Sequence, residues 1–114
     1  MTILTDYFIR NSDNIITTTL IEAGAAIVVS PTEIVIDIDG LVTITRSPTG
    51  DGVSYADGIV TLVPGNLTED LSALADGQTY KVRIIIKTVP QPLGIVFGDG
   101  DSANQLRFVV STKP

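Results

Sequence analysis

The sequence predicts a single all-β domain: an antiparallel sandwich of seven or eight short strands with one short helix. β-Branched residues are abundant, with 15 Ile, 12 Val and 14 Thr among 114 residues, and such residues favour strands. Several segments alternate apolar and polar residues, and turn signals recur about every ten residues. No segment has the strand–helix–strand pattern of a parallel sheet.

The strongest strand signal covers residues 80–87, where alternate residues are apolar. One face carries Tyr80, Val82, Ile84 and Ile86, and the other carries Lys81, Arg83 and Lys87. Ile85 is the exception, because it is apolar on the polar face. The final strand follows the same rule, with Leu106, Phe108 and Val110 on one side and Arg107 and Ser111 on the other. Period two of this kind is typical of half-buried strands.

Residues 33–46 predict a hairpin whose register can be derived from the pattern. A two-residue turn at Asp39-Gly40 would place polar residues opposite apolar ones on each face. A three-residue connection, 39–41, instead pairs Ile38 with Val42 and Ile36 with Ile44. We therefore predict the longer connection, with Gly40 in the left-handed conformation.

The middle of the chain predicts turns, short strands and one helical turn. Strands are expected at 53–56, 59–63 and 95–97, separated by Gly-rich and Pro-rich breaks. Residues 68–74 begin with a capping Thr and two acids, which predicts a single helical turn or short helix.

Residues 1–30 are apolar without fitting either period, and two interpretations stay open. They form one or two core strands, or they form an arm that packs on a neighbouring subunit. In both cases they belong to the same unit as residues 31–114, which are predicted to form the sandwich itself.

Composition excludes several classes of function. The chain has no Cys and no His, which removes thiolate nucleophiles, cysteine zinc sites and the usual general base near neutral pH. A net charge of −6 argues against a nucleic-acid binder, which needs a basic face. We therefore predict no enzyme activity, no cofactor and no nucleic-acid partner.

The N-terminal residues and the lengths of the apolar runs bear on secretion and on membrane insertion. No basic segment followed by an apolar one opens the chain, so no signal peptide is expected. No apolar stretch is long enough to cross a bilayer, so no membrane partner is expected. The apolar content of 44% is high for this size and leaves apolar surface for a partner.

Residues 74–84 resemble the tyrosine corner of fibronectin-type-III and other immunoglobulin-like (Ig-like) sandwiches. Leu74, Gly77 and Tyr80 stand at the family's spacing and lead into a core strand. The resemblance implies that the Tyr80 hydroxyl bonds backward to the backbone near Leu74, with the ring in the core. The chain lacks Trp, whereas the family usually has a core Trp, which favours a divergent Ig-like domain.

Beyond the corner, the layout resembles small Ig-like proteins of tailed-bacteriophage virions. The segments that carry this resemblance are the acidic hairpin (34–46), residues 58–62, the corner strand, and the two late strands at 94–97 and 106–110. It implies a virion structural protein that decorates or cements a capsid, or serves as a tail or baseplate adaptor. The implied partners are capsid or tail proteins of the same virion and further copies of the chain, and the implied location is the virion.

Two groups of residues with oxygen-bearing side chains have spacings that suit chemical sites. Asp99, Asp101 and Asn104 have a spacing that suits calcium ligands, but the other ligands of an EF-hand loop are missing, and a polar connection explains them equally well. Asp37 and Asp39 resemble a glycosidase carboxylate pair, but strand alternation already accounts for them. We therefore predict no metal site and no catalytic site.

Three functions follow as hypotheses. The first is the virion structural protein, for which the candidate interaction residues are Ile3, Leu4, Tyr7, Phe8 and Ile85. The second is a carbohydrate-binding or host-adhesion module, for which Tyr7 and Tyr55 are the candidate exposed aromatics. The third, an enzyme, has no visible nucleophile–base pair. The position within a particle and the symmetry of assembly stay open.

Overall fold

The computed structural model of the chain describes residues 2–9, 15–19, 21–22, 25–26, 30–47, 50, 52–98 and 104–111. Its strands are β1 (Thr2–Ile9), β2 (Ile16–Thr19), β3 (Ile21–Glu22), β4 (Ala25–Ala26), β5 (Pro31–Ile38), β6 (Val42–Arg46), β7 (Val53–Ala56), β8 (Ile59–Leu62), β9 (Thr79–Thr88), β10 (Ile95–Gly98) and β11 (Asn104–Ser111). A 3-10 turn at Pro64–Asn66 follows β8.

The strands form two principal sheets with an Ig-like order. The larger sheet runs β1-β11-β9-β5-β6, with β10 also paired to β9, and the smaller runs β2-β8-β7. In immunoglobulin domains a sheet with strands B, E and D likewise opposes one with strands G, F and C, extended by C′ in variable-type domains. The predicted all-β antiparallel sandwich is confirmed.

The predicted number of strands, seven or eight, agrees with the structure when two very short strands are set aside and two strands that pair with the same neighbour are counted as one. β3 and β4 have two residues each and pair only with one another. β10 and β11 pair with successive parts of β9, on the side away from β5, and therefore act as two parts of one strand. Eight full strands remain in the described part of the chain. All described pairings are antiparallel except that of β1 with β11, which is parallel.

One apolar core lies between the two sheets, because the period-two faces point toward each other. Both sheets and the connection before β9 contribute to it. Its fully buried members include Phe8, Ile34, Ile36, Ile38, Ile44, Val53, Leu74, Val82, Ile84, Ile86 and Phe108. The predicted inward faces of β5, β9 and β11 are confirmed at every position that the structure describes.

The β5–β6 hairpin has the predicted register. Ile38 pairs with Val42 and Ile36 with Ile44, and Gly40 has a φ of 71°. Asp39 shares the left-handed region with a φ of 52°, which short polar side chains tolerate. The backbone N–H of Gly40 donates to Asp37 Oδ1 at 3.1 Å, which fixes the turn.

The N-terminal segment forms strands within this chain. β1 lies at the edge of the larger sheet, and β2 joins the smaller sheet beside β8. Phe8 is fully buried, and its ring stacks on Phe108 with centroids 5.5 Å apart. In this structure residues 2–9 and 16–19 therefore take the core-strand form of the two alternatives.

The helical turn lies before the predicted position. Residues 68–74 contain no helix, and the 3-10 turn is at Pro64–Asn66. The Asp70 carboxylate accepts a hydrogen bond from the backbone N–H of Ser72 at 2.9 Å, a local turn that competes with helix formation. The position predicted at 68–74 was therefore wrong, although its apolar residues Leu71 and Leu74 are buried as core members.

The segment 74–80 has the geometry of a tyrosine corner. The backbone N–H of Ala75 donates to the Tyr80 hydroxyl at 2.8 Å, and the half-buried Tyr80 packs against the core. Gly77 has a φ of 78°, a conformation that suits glycine. Its N–H donates to the Val110 carbonyl at 2.8 Å, which ties the corner to β11.

Removing the Tyr80 hydroxyl should weaken this corner. Tyr80→Phe deletes the acceptor of the Ala75 N–H, and we expect the free energy of unfolding to fall by about 1 kcal/mol, the usual net value of such a bond. Urea denaturation monitored by circular dichroism measures the change. An unchanged midpoint would mean that the bond adds nothing to stability.

Candidate interaction surface

The outer face of the larger sheet carries ion pairs rather than a free basic row. Arg83 Nη2 lies 3.0 Å from Asp37 Oδ2 on β5, and Lys87 Nζ lies 3.1 Å from Glu33 Oε1. Lys81, the third residue of the row, is exposed. The predicted basic side of β9 is therefore largely neutralised by β5.

Between the two ion pairs lies an apolar row. The cross-strand register places Val35 opposite Ile85 and Ile85 opposite Val96, and these residues point outward. Gly94 lies directly against Ile85, since a Cβ on Gly94 would approach Ile85 Cγ2 to 2.3 Å. Ile85, a predicted interaction residue, is consequently half-buried and partly covered by its own chain.

The connection between β9 and β10, residues 88–94, forms a compact loop that we call the apex. Thr88 and Gln91 exchange backbone hydrogen bonds at 3.2 Å in both directions, and the Gly94 N–H donates to the Gln91 carbonyl at 3.0 Å. The Gln91 N–H also reaches Thr88 Oγ1 at 3.1 Å. These bonds, with Pro90 and Pro92 in between, hold the loop in one shape.

The apex displays apolar side chains to solvent. Val89 is 82% exposed and Leu93 is 92% exposed. Thr88 and Val89, with Pro90, Gln91 and Ser30, line an open hollow of about 260 Å³. No charged residue occurs from 88 to 98, although the chain has 20 charged residues. An uncharged, preorganised apolar loop is the surface type that favours protein–protein contact.

The predicted N-terminal interaction residues fall into two groups. Phe8 is buried in the chain's own core, so its side chain does not reach a partner in this structure. Ile3, Leu4 and Tyr7 belong to β1, and their side chains lie outside the described residues. Tyr55, a candidate for sugar stacking, is half-buried and packs against the core.

Asp37 and Asp39, the predicted carboxylate pair, have different surroundings in the structure. Asp37 is committed to Arg83 and to the Gly40 N–H, while Asp39 lies exposed in the turn. Asp99 and Asp101 lie outside the described residues, as does the side chain of Asn104. Within the described part of the chain, no group of three or more acidic residues is arranged to hold a metal ion.

An ion pair with two hydrogen bonds joins β6 to the loop before the corner. Arg46 Nη1 lies 2.5 Å from Glu69 Oε2, and Nη2 lies 2.6 Å from Oε1. The two side chains are only 14% and 21% exposed. This two-pronged hydrogen bond from Arg46 lowers the pKa of Glu69 below its usual 4.5. The contact is structural, since it fastens the edge of one sheet to the segment that carries Leu71 and Leu74.

Sequence reasoning missed the apex as a surface. In the sequence, Val89 and the two prolines fall in a Pro-rich break between predicted strands, and such a break does not by itself predict a contact surface. A signal was available, because two apolar residues alternate with prolines inside an uncharged run, and prolines keep such a segment out of a central strand. Their exposure depends on the Thr88–Gln91 bonds, which sequence alone does not reveal.

Comparison with known proteins identifies no relative of this chain. In the described residues, no helix is long and apolar enough to span a membrane. No protein-family model matches the chain, and searches of curated proteins and of solved structures find no significant match.

Proposed function

We propose that this chain is a non-enzymatic structural domain that docks onto another protein through its apex, as a component of a tailed-bacteriophage virion. The observation that carries the docking role is the hydrogen-bonded, uncharged loop that exposes Val89 and Leu93. Exposed apolar side chains grouped in one short loop, rather than scattered singly, mark a surface for contact with another protein. The virion role rests on the resemblance of the sequence pattern to Ig-like virion proteins.

The outer carboxylates support a structural role. Asp37, Glu33 and Glu69 are each bound to an arginine or lysine, which leaves them poorly placed as general acids or bases. The proposed structural protein either decorates the capsid or serves as an adaptor in the tail or baseplate. Both need a stable domain with a fixed contact loop, and the hydrogen bonds of the apex supply that fixed loop.

Sedimentation of particles tests the proposal directly. The chain carries a small epitope tag in its native source, and particles are separated on a density gradient. We expect the wild-type chain to travel with the particles, whereas Val89→Ser with Leu93→Ser should reduce the particle-bound fraction by about tenfold or more, because buried apolar anchors dominate interface energies.

A matched variant controls for general loss of apolar surface. Ile15 is also well exposed but precedes β2 in the other sheet, so Ile15→Ser should leave the bound fraction unchanged. All variants should keep the wild-type unfolding midpoint, since they replace exposed side chains. Equal binding of the three proteins would remove the apex as the docking site, and a wild-type chain that never sediments with particles would remove the virion role.

A further inference from the structure

The strand β6 forms an open edge of the larger sheet. Among the described residues it pairs with β5 alone. Edge strands are normally protected by lysine, proline, a bulge or a covering segment. Residues 42–45 contain no charge and no proline, and their ladder with β5 continues without a register shift. Apart from its last residue, Arg46, whose guanidinium lies beside the Thr45 carbonyl and bonds to Thr68 and Glu69, the edge retains the properties that allow another strand to add to it.

The backbone pattern shows which groups this edge presents. The Asp39 N–H donates to Lys81, and the Leu41 N–H donates to Ile38. The backbone N–H and C=O groups of the odd-numbered residues of β5 therefore bond to β9, and those of the even-numbered residues bond to β6. In the register of the hairpin, Val42, Ile44 and Arg46 bond to β5, so the N–H and C=O groups of Thr43 and Thr45 point away from the sheet.

One of these outward backbone groups, the Thr45 carbonyl, already accepts a hydrogen bond. Arg46 Nη1 donates to the Thr45 carbonyl at 2.8 Å. A carbonyl oxygen has two lone pairs, so this bond leaves one acceptor position on Thr45. Both Thr43 and Thr45 are exposed at the side chain, which leaves room for a neighbouring strand.

We infer that β6 pairs antiparallel with β6 of a second copy of this chain, about a two-fold axis at Ile44. Thr43 then lies opposite the partner subunit's Thr45, and the same pair occurs twice. Both residues direct their backbone groups to this edge, so each pair supplies two hydrogen bonds. The result is one continuous sheet across two copies, an association that goes beyond docking through the apex.

The side-chain pattern of β6 is self-complementary in this register. Threonine faces threonine on the outer side, a favourable cross-strand pair. Ile44 faces its own copy, and Arg46 faces the partner subunit's Val42, so no like charges are directly opposed. A shift by two residues loses pairs, because one end then meets the turn at 39–41. In this register a second copy pairs with residues 42–46 of this edge.

Cysteine cross-linking tests the register, and the chain has no native Cys to interfere. Thr43→Cys and Thr45→Cys are purified separately and then mixed under mild oxidation. Residues in a hydrogen-bonded antiparallel pair have Cα atoms about 5.5 Å apart, which suits a disulfide. We expect the mixture to form cross-linked dimer several-fold faster than either variant alone. Equal rates in all three samples would overturn the register.

A charge-pair experiment tests the association without oxidation. T43K/T45E places an introduced lysine opposite an introduced glutamate twice, whereas T43K/T45K opposes lysines twice. We expect the dimer association constant to differ by about tenfold between them, measured by sedimentation equilibrium up to about 1 mM, because a five-residue edge gives a weak interface. Equal constants, or a wild-type chain that stays monomeric throughout, would overturn the inference.

Discussion

Phe8→Ala should lower the free energy of unfolding by about 3–5 kcal/mol, the usual cost of removing a buried aromatic side chain. Phe8 has no exposed surface, and its ring stacks on Phe108 of the neighbouring strand. The substitution therefore removes both the buried area and the aromatic pair that fasten β1 to the core. Small domains are stable by only about 5–15 kcal/mol. This loss is therefore a large share of the total free energy of unfolding.

The same measurement separates the two interpretations of the N-terminal segment. If β1 packs within its own chain, the loss is the same at every protein concentration. If it packs on a neighbour, the loss caused by Phe8→Ala itself depends on concentration, because association through β1 is then coupled to folding. Urea denaturation at two concentrations a hundred-fold apart therefore decides between them.

Two further variants keep this experiment interpretable. Phe8→Leu retains most of the volume and should cost about 1.5 kcal/mol or less, which keeps the domain folded if Phe8→Ala does not fold. Ile15→Ala alters an exposed apolar residue and should change stability by less than about 0.5 kcal/mol. A Phe8→Ala protein as stable as wild type would contradict the core position of this ring.

Local patterns predicted the parts of the fold that depend on local physics. Alternation along residues 80–87 gave the inner face of β9, since a pleated strand sends successive side chains to opposite faces. The pairing of Ile38 with Val42 followed from the requirement that apolar residues share a face. The bond of the Tyr80 hydroxyl to the backbone near Leu74, which the structure has at the Ala75 N–H, was expected from the resemblance of residues 74–84 to a tyrosine corner.

Contacts between distant parts of the chain could not be predicted in this way. Arg46 and Glu69 are 23 positions apart, and nothing in either neighbourhood identifies the partner. Their contact also helps to explain why residues 68–74 form no helix. Glu69 bonds to Arg46 of another strand, and Asp70 accepts a hydrogen bond from the Ser72 N–H, which forms a local turn. The apex was missed because exposure is a property of the folded surface, and apolar residues beside prolines are found in both buried and exposed loops.

Glu69→Gln should produce the second-largest loss of stability, about 2 kcal/mol at neutral pH. Glutamine keeps the size of the side chain but removes the charge, so the largely buried Arg46 guanidinium loses its counter-ion. The measurement is urea denaturation at pH 7. Glu33→Gln is the matched control, because the Glu33–Lys87 pair is more exposed, at 39% and 36%, and exposed pairs contribute about 1 kcal/mol or less.

The pH dependence of the same variant identifies the charge as the cause. The pKa of Glu69 is lower in the folded state than its usual value of 4.5, chiefly because of the Arg46 hydrogen bond. A group with a lowered folded pKa contributes stability that is fully present above its unfolded pKa and is lost as the pH falls through the folded one. The gap between wild type and Glu69→Gln should therefore be widest near pH 7 and should narrow progressively below pH 4.5. A gap that stayed constant into strong acid would show that Glu69 stabilises the fold by packing, with the ion pair to Arg46 contributing nothing.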